Sequence, residues 1–166
     1  YSVVVPADAV PGDLMESYDL LCTPIIDAFE GMGVEASFAD NQRPAIHRPA
    51  CYLRALHPAH DVVGPYGRKV SGNAQYRQRD AVVQHGSLTF DSDAFADRVG
   101  GIEEYVDCTR PEAVATLRAA LVDWIEDRGG VIEAEGWTDE ELDRARERAK
   151  EKFASDAWTC ERTDPT

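Results

Sequence analysis

The sequence predicts an α+β fold, a mixed or antiparallel sheet covered by helices. Three observations predict it. Strand-like runs crowd the first half of the chain, the clearest helical periodicities follow in the second half, and a three-residue turn joins two long alternating runs into a hairpin. The chain has 166 residues, enough for one domain with a buried core, and residues 1–166 are expected to form a single domain.

Tyr1 to Val5 is an apolar run that reads as a strand, and Pro6 to Pro11 as a loop. From Gly12 to Met32, Leu14, Leu21, Ile25 and Phe29 recur on one helical face; Pro24 inside this span predicts a kink or a restart, and Gly31 and Gly33 a stop. Val34 to Phe38 reads as a strand, and Asn41 to Ala50, with Pro44 and Pro49, as a loop. Cys51 to Ala55 and Asp61 to Val63 read as short strands. Gly67 to Arg77 and Ala81 to Phe90 read as longer ones turning at Gln78 to Asp80, and Asp93 to Val99 as a short helix.

Glu112 to Arg128 carries the clearest helical pattern. Pro111 precedes it, Val114, Leu117, Leu121 and Trp124 share a face, and Gly129-Gly130 stops it. A last helix starts at Thr138, where Thr138 and Glu141 form a capping box ahead of a stripe of Leu142, Ala145, Ala149 and Phe153.

Composition narrows the function classes. Hydrophobic residues make up 43%, too many for a disordered tail. No apolar run approaches the roughly 18 residues of a membrane span, and no signal-peptide pattern appears, so a cytoplasmic location is expected. The chain opens directly in a strand, which predicts a piece of a longer protein. The net charge of -14 repels nucleic acid and anionic membranes. Only Lys69, Lys150 and Lys152 are lysines among 17 basic residues, and this Lys-poor acidic surface reads as halophilic. Cys22, Cys51, Cys108 and Cys160 are widely spaced, which argues against a zinc site or a disulfide scaffold.

Chemistry concentrates in Gly67-Arg68-Lys69-Val70-Ser71-Gly72-Asn73-Ala74-Gln75. Lys69 is the one lysine of the first 149 residues, a compact charge suited to a carboxylate or phosphate oxygen. Gly72 permits close approach, and Ser71, Asn73 and Gln75 supply polar groups. Gln84-His85-Gly86-Ser87-Leu88 would lie beside it across the hairpin. Spacing alone leaves Lys69 open between a surface lysine and a ligand contact, and His85 between a structural and a functional histidine.

These two runs in combination, with Trp137 to Leu142 and Lys152 to Trp158 near the end, resemble the lipoate–protein ligases, most of all their haloarchaeal members. The resemblance covers most of the chain. It implies the biotin/lipoate ligase catalytic-domain fold, related to class II tRNA synthetases. It also implies a reaction in which lipoate and ATP, with Mg²⁺, give lipoyl-adenylate, whose acyl group passes to a lysine of a lipoyl domain. The implied partners are lipoyl domains of 2-oxoacid dehydrogenase complexes and the glycine cleavage H protein, with no nucleic acid, no membrane and no tightly bound cofactor. Lys69 would contact the acyl carboxyl and the adenylate phosphate, and Ser71, Gly72, Asn73, Ala74, His85 and Gly86 would complete the lipoyl-adenylate site. A fixed cation between two repelling anions stabilises the transition state that joins them.

Asp61 falls where the family often has an Asn-Asp pair, with His60 in the Asn place. It could hold Mg²⁺ through phosphates or water, or order the loop over the adenylate. His57, His60 and Asp61 could also be read as metal ligands, but Pro58 disfavours the helical two-His geometry. The family's upstream segment, paired arginine and Gly-rich with a terminal His, is missing, so the resemblance places this chain in the C-terminal part of the catalytic domain. Cys51, 18 residues before Lys69, opens a second reading. Related octanoyl transferases carry a nucleophilic cysteine at a comparable place; their thiolate takes octanoyl from acyl carrier protein without ATP. A small buried hydrophobe is the plain reading of Cys51. A third class is an accessory subunit on a ligase-like fold.

Overall fold

The computed structural model describes residues 1–40, 42, 57, 58, 60–91, 99–161 and 163. It is an α+β structure in which five antiparallel strands, β1 (Ser2–Pro6), β2 (Ser37–Phe38), β3 (Asp61–Val63), β4 (Lys69–Arg77) and β5 (Ala81–Leu88), form one open sheet in the order β1-β5-β4-β3-β2. The expected hairpin is present: Gln78 N–H donates to the Ala81 carbonyl, and the ladder runs from Arg77 opposite Val82 to Ser71 opposite Leu88. The strand expected from Val34 shortens to Ser37–Phe38. The strand expected from Gly67 starts at Lys69, because Pro65–Gly67 form a 3-10 turn. The expected strand at 51–55, most of the expected loop at 41–50 and helix at 93–98, and Cys51 itself lie outside the described residues. Val99 makes a parallel bridge to Lys69 rather than ending a helix.

Helix α1 (Leu14–Gly31) covers one face of the sheet. Asp13 caps it, its carboxylate accepting from the Met15 and Glu16 amides. Pro24 sits inside without a restart. Beyond Met32, Gly33 takes a φ of +82°, which favours glycine and lets Val34 N–H reach back to the Phe29 carbonyl at 2.8 Å. Leu21, Ile25 and Phe29 are buried as their spacing predicts, whereas Leu14 on the first turn is exposed. Ile25 and Phe29 pack with Val34, Val62, Val70, Ile102 and Ala113 in the main core.

Helix α2 (Arg110–Glu126) begins two residues before its expected start. Thr109 and Glu112 close a reciprocal capping box that the sequence reading missed. Its core face runs through Ala113, Leu117 and Leu121; Val114 is 60% exposed and is a correction to the expected stripe.

The chain divides into two compact units, Tyr1–Gly130 and Val131–Thr166. In the second, helix α3 (Asp139–Arg148) starts at the expected Thr138–Glu141 capping box. A π-helical turn (Ala149–Phe153) and the short α4 (Asp156–Thr159) follow, with Phe153 edge-on to Trp158 at 5.3 Å. No helix among the described residues is long and apolar enough to cross a membrane.

Candidate active site

Lys69 opens β4 where the strand changes neighbours. On one side it stands opposite Val63 at a bulge, and on the other its carbonyl accepts from Gly100 N–H at 2.9 Å, ahead of the β4–β5 ladder. Its backbone is thereby fixed on both edges. Its side chain is buried and its ammonium lies 2.8 Å from Oδ1 of Asp61, itself only 2% exposed.

Asp61 is directly opposite Gly72 across the β3–β4 ladder, so both point to the same face. A Cβ on Gly72 would meet Lys69 Cε at 2.9 Å and Nζ at 3.0 Å. The close approach expected at Gly72 is therefore that of Lys69 itself, whose chain folds over the bare α-carbon to reach Asp61. The second Asp61 oxygen accepts from the His57 amide at 2.9 Å, and His60 Nδ1 lies 3.3 Å from the first. The His57 and His60 rings stack at 4.8 Å. Burial pushes the Asp61 pKa up, but the hydrogen bonds from His60 and Lys69 and the Lys69 charge outweigh it and hold the carboxyl below its usual value.

Both Asp61 oxygens are thus committed to protein donors. It acts as the counter-ion of Lys69. Among the described residues no group of three or more His, Cys, Asp or Glu side chains could hold a metal ion.

Strand alternation sorts the other expected site residues onto two faces. Ser71, Asn73 and Gly86 belong to the face under α1. Asn73 Oδ1 accepts from the Tyr1 hydroxyl at 2.6 Å and its Nδ2 donates to the His60 carbonyl at 2.7 Å. Gly86 is bare because a Cβ there would collide with Asn73 Oδ1 and the Tyr1 ring. Gln75 accepts from Ser17, and Gln84 donates to Tyr1 and Cys22, in the same buried polar layer. These groups hold β4, β5 and α1 together.

The opposite face carries Gly72, Ala74 and Tyr76 of β4, Val83, His85 and Ser87 of β5, and Ser2 and Val4 of β1. It is open: Val4 is 66% and Tyr76 64% exposed. The Lys69 ammonium stands at one end of this face, in the row of Gly72 and Ser87. His85 and Ala74 form the next row, and Val4, Val83 and Tyr76 an apolar row beyond. From Gly72 to Tyr76 the strand advances roughly 14 Å. The structure thus brings Lys69, Gly72, Ala74 and His85 to one face and turns Ser71, Asn73 and Gly86 to the other. The Val4–Val83–Tyr76 row was missed by sequence reasoning, although the alternation of Gly72, Ala74 and Tyr76 carried the signal.

Cys22 is excluded as a nucleophile. It is fully buried between α1 and the sheet, and burial pushes its thiol up to about 12.

The family model described as the lipoyl protein ligase A/B catalytic domain matches residues 1–154. Octanoyltransferase LipM of Bacillus subtilis is 28% identical over 188 residues, covering 98% of this chain and 68% of that protein. Its counterpart in Halalkalibacterium halodurans is 27% identical over 187 residues, covering 95% and 67%. Among solved structures, a lipoate-protein ligase A bound with ATP superposes with a TM-score of 0.73 at 18% identity, over 95% of this chain and 62% of that one. A structure of the bi-partite lipoate protein ligase of Thermoplasma acidophilum and its E2 lipoyl domain gives 0.69 at 18%, over 95% and 61%. The structural likenesses establish the fold, and the chain spans about two thirds or less of the length of these proteins.

Proposed function

The chain belongs to the lipoyl protein ligase A/B catalytic-domain family, and from that premise we propose that it transfers an octanoyl-type acyl group to a lysine of a lipoyl domain through a cysteine thioester. The observation that carries acyl handling is the seating of the Lys69 ammonium at the head of an open, partly apolar sheet face. The acyl carbonyl lies at Lys69, and the tail runs past Ala74 and His85 toward Val83 and Tyr76. Ser71, Asn73 and Gly86 then serve that site from beneath, by fixing the strands.

The cysteine route is favoured over the ATP-dependent ligase reading by the curated relatives named octanoyltransferase, which match nearly the whole chain, and by Cys51. The Cys51 thiolate attacks the carrier thioester, the carrier sulfur leaves as a thiolate that takes a proton from solvent, and an acyl-Cys51 thioester forms. The acceptor lysine, as free amine, then attacks that carbonyl. An amide forms, the Cys51 thiolate leaves, and the amine's surplus proton passes to solvent. In both steps the Lys69 ammonium donates to the oxygen on which negative charge develops.

The ligase reading stays in play because an ATP-bound ligase shares the fold. There ATP and Mg²⁺ would be co-substrates and Lys69 would bridge acyl carboxyl and phosphate. One experiment separates the two. Acylation of a lipoyl domain is measured with octanoyl-acyl carrier protein and no ATP, and with free octanoate or lipoate plus ATP, for the protein and for Cys51→Ala. The transferase reading expects transfer from the carrier alone, lost in Cys51→Ala. Strict ATP dependence with an active Cys51→Ala variant would replace it by the ligase reading.

A further inference from the structure

Lys69 is held from the edge away from β3 by a short segment that carries none of the expected site residues. Val99 bridges parallel to Lys69, and Gly100 N–H donates to the Lys69 carbonyl at 2.9 Å. The segment is itself tied to the chain beyond β5. Ile102 N–H donates to the Thr89 carbonyl at 3.0 Å and Glu103 N–H to the Phe90 carbonyl at 3.2 Å, while the Ile102 side chain enters the main core. A 3-10 turn, Ile102–Glu104, then brings Glu104 beside Arg68.

Glu104 spends its two carboxylate oxygens on different segments. Oε1 accepts from Gly101 N–H at 2.8 Å, next to the amide that holds Lys69. Oε2 accepts from the guanidinium of Arg68, the residue before Lys69, at 2.5 Å. One side chain thus joins the two backbone segments that meet at Lys69. Tyr105 steadies the arrangement: its hydroxyl accepts from Arg68 Nε at 3.1 Å, and Gly100 is bare where a Cβ would collide with that hydroxyl. Stability alone does not account for the bridge. The side chains of Arg68 and Glu104 are 20% and 31% exposed, and such partly solvated pairs contribute no more than about 1 kcal/mol. Aim does account for it. The Lys69 ammonium passes Gly72 without slack, 3.0 Å from where a Cβ would stand, so a shift of the Lys69 backbone moves the ammonium. A displacement of about 1 Å at a reacting group can cost about 100-fold in rate.

We propose that Glu104 is a positioning residue for Lys69, a two-acceptor bridge that fixes the start of β4 from outside the site. It touches no reacting atom. The inference rests on the reading that Lys69 contacts the reacting acyl group, which the transferase and ligase readings share. The bridge needs two acceptors. A carboxylate has them; a glutamine amide has one acceptor and one donor, and serves Gly101 or Arg68 but not both.

The test asks whether Glu104 acts through Lys69. Acylation of a recombinant lipoyl domain is measured, in steady state and in single turnover, with octanoyl-acyl carrier protein and with lipoate plus ATP. The proteins are the parent, Glu104→Gln, Arg68→Met and the two combined, each with Lys69 present and with Lys69→Ala, and each is melted thermally. Glu104→Gln should lower kcat by about tenfold. The KM values for donor and lipoyl domain should stay unmoved, and the melting temperature should stay within about 4 °C of the parent. Arg68→Met should reproduce the loss, and the combined variant should lose no more than either alone, because both break one bridge. With Lys69→Ala, none of the three should lower the residual rate further. An unmoved kcat in Glu104→Gln, additive losses in the combined variant, or an equal loss in the Lys69→Ala background would overturn the assignment, the last being what a merely structural role gives. Should Glu104→Gln unfold, Arg68→Met decides by the same comparison. A parent that acylates no lipoyl domain, or a fully active Lys69→Ala, removes the functional reading beneath; a Lys69-dependent parent with an unmoved Glu104→Gln removes the Glu104 role alone.

Discussion

Lys69 and Asp61 form a buried ion pair, Nζ to Oδ1 at 2.8 Å, made across the bare α-carbon of Gly72. Because Asp61 also accepts from His57 and His60, the carboxylate is a fixed anchor and the ammonium the group it aims. That relationship governs the first three predictions.

Lys69→Ala should lower acyl transfer by about two to three orders of magnitude, the usual loss on removing a donor to a developing oxyanion. It also strands a buried carboxylate, so the single variant should melt lower. Adding Asp61→Asn should recover melting temperature but not activity. Circular dichroism and single-turnover transfer on the two singles and the double close the cycle; activity returning with stability would assign Lys69 a structural role.

Gly72→Ala should separate aim from stability. The new Cβ presses on the flexible end of Lys69, which can move aside, so stability should change by less than about 1 kcal/mol. The displaced ammonium should lower kcat by at least about tenfold. Gly86→Ala should do the reverse. Its Cβ collides with Asn73 and Tyr1 in the packed layer under α1, and about 2 kcal/mol of stability should be lost. Thermal melts and rates on both variants decide, and equal behaviour would contradict the two-face assignment.

Asp61 links the pair to pH. Its carboxyl is held below its ordinary value in the folded chain, so its contribution is fully present above the unfolded value of about 3.9 and is lost as pH falls through the folded value. The gap in unfolding free energy between the protein and Asp61→Asn should be about 3 kcal/mol at neutral pH. It should narrow below about pH 4. Urea unfolding from pH 2 to 7 reads this, and a gap independent of pH would refute it.

Cys22 should resist alkylation in the folded protein. Its thiol is buried and pushed up to about 12, so almost no thiolate exists at pH 8. Peptide mapping after brief iodoacetamide treatment should find Cys22 unmodified until denaturant is added. Under the transferase reading, loss of activity should track modification of Cys51.

The sequence by itself determined the parts whose signals are local. The β4–β5 hairpin, the apolar spacing of Leu21, Ile25 and Phe29, and the Thr138–Glu141 cap are read from neighbours along the chain, because alternation, helical period and capping are short-range. A lone lysine in an arginine-using chain marked Lys69, and the surrounding motif carried the family resemblance. Tertiary structure decided what each marked residue does. Gly72 and Gly86 look alike in sequence, yet one clears space for Lys69 and the other for Asn73 and Tyr1, since a strand's two faces differ only once α1 covers one. Asp61 became the partner of Lys69 because antiparallel pairing sets it opposite Gly72.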